Sequence, residues 1–501
     1  MKGFRWQTAF AFLISLFLIS LVMAHPAYAH IGSKDVYEEV NVGQYKLFVT
    51  IRTPNVIPGV ATIEVKSSGA TVNSIRITPT PLTGEASKHP PSSDAMQPSA
   101  ADPAFFTGSL WLMASGSWQV HFKIDGAAGK ASTSVPVSAM PLSILPMQRS
   151  MGIMLTVLGI LLIIGIAGIA AAAVGQSRLD PGLAAGPTAH RRALIAGSVT
   201  LAVTLLLVYG GYKWWDLEAT SYAADIYHPL SLSPTLSGNI LDLKIGRHDT
   251  DAMHTSRARS NDDLLPDHGH VMHLYAIREP GMDAAYHLHP VPAGAGHLQM
   301  TLPTMPAGTY RLYADIVHAN GFPETLTADL VVPANLPPAP LAPEDASAAP
   351  PPLSQPELGT AYKLPDGYTM AWDRPQDLSA NTAYAFRFRL VDAAGQPARD
   401  VRPYLGMAGH AAFVKTDGTV FAHTHPEGSA AMQAMMLANG SSGEMAETGS
   451  MAGMDMTGST ENIPPTVEFP YGFPSAGRYR IFIQMKHGNT VETGVFDADV
   501  H

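Results

Sequence analysis

Apolar residues along this chain come in two kinds of run, long unbroken ones and short ones that alternate with polar positions. The run AFAFLISLFLISLVM follows Lys2 and Arg5 and precedes Ala27-Tyr28-Ala29. Charge, apolar stretch and small-residue site in that order read as a secretory signal. Residues 1–29 are therefore predicted to be a signal peptide, with His30 first in the mature chain. A cut after Ala24 would leave His25 first, and an uncleaved anchor helix is the competing reading. MGIMLTVLGILLIIGIAGIAAAAVG and ALIAGSVTLAVTLLLVYGGY would extend about 37 Å and about 30 Å as helices, enough to cross a bilayer. They predict spans over 149–175 and 193–212. The intervening loop, 176–192, carries Arg178, Arg191 and Arg192, against Arg149 and Lys213 on the outer flanks. That bias places the loop in the cytoplasm and the other parts of the chain outside. Trp214 and Trp215 fall where an interfacial aromatic belt belongs.

The alternating runs predict strands. QYKLFVTIR, ATIEVKS, VNSIRITP and SWQVHFKIDG, broken by Pro and Gly, mark residues 30–145 as an antiparallel sandwich. A second domain is expected over 213–332. PANLPPAPLAPEDASAAPPPLSQPE follows as an extended Pro-rich linker, 333–357, and a third domain over 358–501. The expected fold class is all-β, with three immunoglobulin-like sandwich domains plus two transmembrane α-helices.

The second and third domains repeat one another. MHLYAIREPGMDAAYHLHP matches GHAAFVKTDGTVFAHTHP with one residue inserted at the turn, and PAGTYRLYADIVH matches SAGRYRIFIQMKH. The alignment pairs His273 with His410, His287 with His423, His289 with His425 and His318 with His487. Asp417-Gly418 is a two-residue hairpin signal, and counting back from it sets His410 opposite His425. A three-residue loop at Pro280-Gly281-Met282 sets His273 opposite His289. Different turns thus give one register. Residues two apart share a strand face, so each HxH presents two imidazoles together. Directly opposed residues have Cβ atoms about 4.5–5.5 Å apart. Tyr479, Ile481, Ile483 and Met485 form a core stripe that His487 closes, as His318 closes the stripe of Tyr310, Leu312, Ala314 and Ile316.

Composition narrows the chemistry. The chain has no cysteine and a net charge of -10. Thiolate sites are excluded, and no basic footprint for nucleic acid exists. A metal would have to use His, Met or carboxylate. The bland reading gives each histidine a backbone carbonyl at a strand end. The repeated set of His273, His287, His289, His318, His410, His423, His425 and His487 points instead to an imidazole-bound metal. His268, His270 and His297 are either further ligands or local polar decoration. Asp262, Asp263 and Asp267 read as a solvated turn.

AMQAMMLANGSSGEMAETGSMAGMDM follows the last HxH, in a Gly/Ser-rich segment read as a disordered loop. Thioethers such as Met451, Met454 and Met456 are soft ligands that select Cu(I). Either this is a low-complexity insertion or it serves copper beside the histidines. His30, as a mature N-terminus, would offer amine and ring to one metal; His121 is a candidate partner and His89 a weaker one.

LGMAGHAAFVKTDGTVFAHTHP followed by FPSAGRYRIFIQMKHG resembles the β-sandwich domains of YtkA-like and FixH-like extracytoplasmic proteins, and sequences near copper-efflux systems. DHGHVMHLY and DAAYHLHP resemble the same module. The first domain, with VIPGVATIEV and GSLWLMASGSWQVHF, is more loosely similar. Its mature N-terminal His is similar to that of CopC-like copper carriers, without an obvious second half to the site. The resemblance implies an immunoglobulin-like fold and a metal-linked role. The two-span connection departs from a single-module member.

No nucleophile elbow, HExxH or phosphate-cradling loop occurs in the chain. The expectation is a non-enzymatic, membrane-anchored binder that captures, buffers or transfers copper ion at the periplasmic side of a bacterial inner membrane. Its expected partners are the cytoplasmic membrane and copper-transport or envelope proteins, with no nucleic acid. An assembly module of an envelope complex is the alternative, and a copper redox enzyme the third choice.

Overall fold

Strand alternation and turn chemistry lay out three β-sandwiches and a helical hairpin. The computed structural model describes residues 30–31, 34–179, 182, 184–246, 260–440 and 462–501. The signal-peptide reading of 1–29 and the ligand readings of Met451, Met454 and Met456 lie outside the described residues, as does the side chain of His30.

In the first domain, Val36–Val42 and Tyr45–Arg52 form a hairpin whose turn uses Gly43 at φ +59°, a conformation that suits glycine. It joins a sheet with Gly59–Gly69, Phe105–Leu112 and Gln97–Pro98. Opposite lies a sheet of Gly129–Ala139, Gly116–Gly126, Val72–Pro81 and Asp94–Ala95. Alternate residues Leu47, Val49, Ile51, Ile63 and Val65 meet Phe122 and Ile124 in the core. Each fully buried side chain of this size contributes about 1.5–3 kcal/mol.

Helices α1 (Arg149–Gln176) and α2 (Pro187–Ala224) have mean hydropathy 2.8 and 2.1 over their most apolar windows, none of it buried in protein. The second helix extends well beyond the expected span, taking in Pro187 to Arg192 and Lys213 to Ala224. Gly197 faces Ala171, and Gly175 faces Ala193, so closely that an added Cβ would sit 3.2 and 3.0 Å from those methyls. Small residues at such a crossing let two helices approach in lipid. The chain is membrane-associated through this hairpin.

The two repeats share a topology. In the second domain, β1 (His273–Glu279) pairs with β2 (Ala285–Leu288) and with the long β3 (Gly308–His318). In the third, β4 (His410–Lys415) pairs with β5 (Val420–Thr424) and with the long β6 (Gly477–His487). Each long strand pairs on with two more, Leu264–Leu265 and Pro323–Val332 or Val401–Arg402 and Thr490–Val500. Each HxH strand also gains an outer neighbour. Ala346–Ala348 from the Pro-rich segment pairs with β2, and His30–Ile31 pairs in parallel with β5. The Pro-rich segment is thus docked along its course: Leu353 N donates to Gly281 O, and Pro351 O accepts from Arg480.

Helix α3 (Met432–Gly440) corrects the expectation of a disordered loop at its start. Ala431, Ala434 and Ala438 pack with Leu82 and Val317, and Asn439 brackets Ser134 through both its amide groups. Tyr37 of the first domain enters the core of the third, edge-on to Tyr471 at 6.1 Å.

Candidate metal centre

Successive strand residues face opposite ways. In β1, Leu274 and Ala276 enter their own sandwich core, while Tyr275 and Ile277 point out. In β4, Ala411 and Phe413 point in, and Ala412 and Val414 out. An outer face left to solvent would be polar. These outer faces are apolar because they cover one another: Tyr275, Ile277, Ala412, Val414, Phe421 and Phe482 form a core between the repeats. Tyr313 stacks on Phe421 at 4.3 Å, and buried Arg480 is held by Asp497 at 2.8 Å and by Met282 O at 3.0 Å.

At one end of this interface the outward positions become histidine. Tyr275 pairs with His287 and Ala412 with His423, so His273 falls opposite His289 and His410 opposite His425, the register that both turn signals imply. The nitrogens that approach most closely are diagonal. His273 Nδ1 lies 3.0 Å from His287 Nε2, and His410 Nδ1 lies 3.1 Å from His423 Nε2. The three histidines of each repeat bring one nitrogen apiece within 4.8 Å of the others.

The outer nitrogens determine what the inner ones can do. His273 Nε2 donates to Asp267 O at 3.0 Å, and His289 Nδ1 to Asp345 Oδ1 at 2.9 Å. His287 Nδ1 donates to Gln484 Oε1 at 2.8 Å, and Tyr404, whose hydroxyl donates to Glu344 O, stands 3.3 Å from the same nitrogen. A neutral imidazole has one N–H. The inward nitrogens of His273, His287 and His289 are therefore lone pairs directed at one another. In the third domain His423 Nδ1 faces Asp315 Oδ2 at 3.3 Å, leaving Nε2 inward. Among the described residues, the buried Nε2 atoms of His289, His410 and His425 have no hydrogen-bond partner. Orphaned buried polar atoms are costly, and a cation is what converging lone pairs satisfy. Outer-nitrogen partners of this kind orient histidine ligands in metal sites.

Burial pushes His273, His287, His410 and His425 well below the ordinary imidazole range, and neighbouring imidazoles push the same way. Burial also lowers His268 and His270. These rings are neutral near pH 7, the form that ligates.

Residues 267–270 and 404–407 make the same tight turn in the two repeats, with His268 and Gly269 at φ +49° and +87° and Leu405 and Gly406 at +53° and +81°. A turn of this class needs positive φ at both central residues. It swings His268 across the interface, 4.6 Å ring to ring from His425. His270 stacks on His289 at 4.1 Å and reaches Glu344 at 3.1 Å on the rim. Asp267, expected in a solvated turn, is buried; its carboxylate accepts from Met432 N at 3.1 Å, and burial raises its pKa.

His318 and His487 do not join the cluster, which corrects the four-member sets. His273 pairs with Asp315 and His410 with Gln484, so the interface face of β3 and β6 carries Asp315 and Gln484. Three residues further along each strand, His318 and His487 point to the opposite face. His318 is clamped by Asp263 at 2.8 Å and Glu324 at 2.9 Å. Burial lowers its pKa, but those carboxylates outweigh burial and hold it above its ordinary value. His487 lies 2.7 Å from Asp366, stacks on Tyr368 at 4.1 Å, and forms a separate group with Asp366 and Glu492. His121 is satisfied by Thr80 and Ser134, and His297 by Asp242. His30 aligns its backbone with Val420.

Asp315, Gln484, Tyr404 and Asp345 escaped the sequence reading. Asp315 and Gln484 were findable, since YADIVH and FIQMKH place them at equivalent positions, facing the histidines.

A family model described as a domain of unknown function (DUF8832) matches residues 233–334 and 362–501, the two histidine-bearing repeats. No curated protein matches. Similar solved structures include alpha-2-macroglobulin of Escherichia coli activated by porcine elastase, at 8% identity and TM-score 0.17, covering 91% of this chain and 30% of that one. Dimeric latent PorU of Porphyromonas gingivalis is 8% identical with TM-score 0.14, over 93% of this chain and 34% of that one. SGBP-B from a xyloglucan utilization locus of Bacteroides uniformis is 10% identical with TM-score 0.16, over 92% and 99%. The chain thus spans about a third of the first two.

Proposed function

We propose that this protein is a membrane-anchored, extracytoplasmic copper-binding protein whose two repeats hold the metal between them. One observation carries the reading: imidazole lone pairs of His273, His287 and His289, whose outer nitrogens are tied to acceptors, converge beside His410, His423 and His425, of which His423 is held from outside by Asp315. Zinc, nickel and iron also accept imidazole, but copper heads the affinity order for nitrogen sites. His268 on the third-domain side and His270 on the rim stand beside the two triads.

The membrane hairpin would tether the sandwiches at the surface. The arginines of the connecting segment favour a cytoplasmic turn and a periplasmic location in a bacterial inner membrane. Capture, buffering or handover to copper-transport or envelope partners suits a site without a nucleophile.

Copper analysis of the full chain, purified in detergent and passed over a chelating resin, tests the reading. Retained copper that falls in His287→Ala and in His423→Ala, and is lost when the two are combined, is the expected result. A wild-type chain that leaves the resin free of copper would sink it and favour an assembly module with structural histidines.

A further inference from the structure

We propose that the two histidine triads are halves of one binuclear centre, in which two copper ions share a single small bridging ligand. This rests on the copper reading above and adds the number of ions, their coupling and the class of ligand.

Spacing argues that the triads are not separate sites. Within a repeat, His273 and His287 lie 5.3 Å apart by ring centroids, as do His410 and His423. Across the interface, His273 to His423 is 5.2 Å, His287 to His423 is 5.5 Å and His287 to His410 is 5.9 Å. Rings within a triad lie 4.6–5.3 Å apart and rings across the boundary 5.2–6.1 Å, so the two ranges meet and the triads are in direct contact. Two-metal sites hold their ions roughly 3.5–4 Å apart, a spacing that needs donor sets in direct contact.

The cross-interface partners are reciprocal. Gln484 of the third domain orients His287 of the second, and Asp315 of the second faces His423 of the third. Each triad thus has one histidine oriented by the other repeat.

Charge supplies the bridging ligand. The triads themselves offer imidazoles only, and buried Asp267, grouped with His268 and His425, adds a single carboxylate; two adjacent copper ions would still repel, and an anion between them offsets that repulsion. Three protein nitrogens per ion also leave a coordination position open. A cavity of about 90 Å³ meets both triads, lined by Asp267, His270, His273, Asp315, His423 and His425. It is far smaller than the roughly 300–1,000 Å³ of organic-ligand pockets. The ligand class is therefore a small anion or a diatomic molecule.

The test loads the full chain in detergent with Cu(II), removes excess, and measures copper content and electron paramagnetic resonance spin count on one sample, before and after azide. The expected result is two coppers per chain, a spin count well below the copper content, and a spectral change complete at one azide per pair. His289→Ala and His425→Ala, one in each triad, should each retain a single copper whose spins are fully counted. Two fully counted coppers, or one copper in the wild-type chain, would overturn the binuclear centre while leaving copper binding intact. No copper would remove both. The wild-type spin count decides the matter even where a variant fails to fold.

Discussion

The two faces of one β-sheet hold two different kinds of histidine. On the interface face, His273, His287 and His289 meet one another and leave inward nitrogens without a proton. On the core face, at the end of the same sheet, His318 is gripped by Asp263 and Glu324. Residue type and burial are alike, with His287 0% and His318 2% exposed. What differs is the partner: an acceptor on each ring nitrogen favours a cation on the ring, while an acceptor on one alone presents the other to a metal. Strand parity assigns each histidine to its chemistry.

Substituting across the two faces should break this comparison if it is wrong. His318→Ala takes the charge partner from Glu324, whose side chain is fully buried. Losing one partner of such a pair costs about 3–5 kcal/mol, which a denaturant midpoint would register, while copper per folded chain stays unchanged. His287→Ala should behave the other way, losing copper while relieving one pair of facing lone pairs in the metal-free protein. Copper loss in both variants alike would mean that the faces are not functionally separate.

The reciprocal partners come next in size. Gln484→Leu keeps every histidine but removes the acceptor that fixes His287. Outer partners of metal ligands typically contribute about 10–100-fold in affinity. A competition titration should find a loss in that range, and an unchanged affinity would reduce Gln484 to packing.

Proton linkage should separate the faces by sign. Burial lowers the folded-state pKa of His273, His287, His410 and His425. An unfolded histidine titrates near 6.5. These groups stay neutral when folded while the unfolded chain takes up protons, so stability falls as pH drops below about 6.5. His318, raised when folded, contributes below about 6.5 and loses its contribution as pH rises through its folded value. Thermal melts of the metal-free protein should therefore fall in mild acid, and the deficit of His318→Ala should shrink at higher pH. A deficit that grows with pH would contradict the clamped, protonated state.

Much of this division was legible in the sequence. Asp417-Gly418 and the Pro280–Met282 loop give both hairpin registers, and YRIFIQMKH gives the core stripe. Parity along YRIFIQMKH also puts His487 on the core stripe and Gln484 on the other face; the structure sets Gln484 opposite His410. The covering of one repeat by the other was not legible. Apolar outward residues such as Ile277 and Val414 indicate that something buries that face, but alternation along a strand cannot name a partner distant in sequence. His268 crosses the interface only once the repeats are docked, so no local spacing revealed its neighbour.

The smallest expected effect concerns a histidine that belongs to neither class. His297 is half-buried on the other sheet of the second domain and pairs with Asp242 at 3.1 Å, both side chains being about a third exposed. Exposed pairs of this kind contribute about 0–1 kcal/mol, because solvent screens the charge and ordering the side chains costs entropy. The pair faces none of the interface histidines, and His297 sits beside Lys244 in register. His297→Ala should therefore shift the denaturant midpoint by no more than that amount and leave copper content, affinity and spin count at wild-type values. A copper loss there would show that histidine number, rather than the face a strand turns toward the other repeat, governs binding, and the comparison between the two faces would fail at its premise.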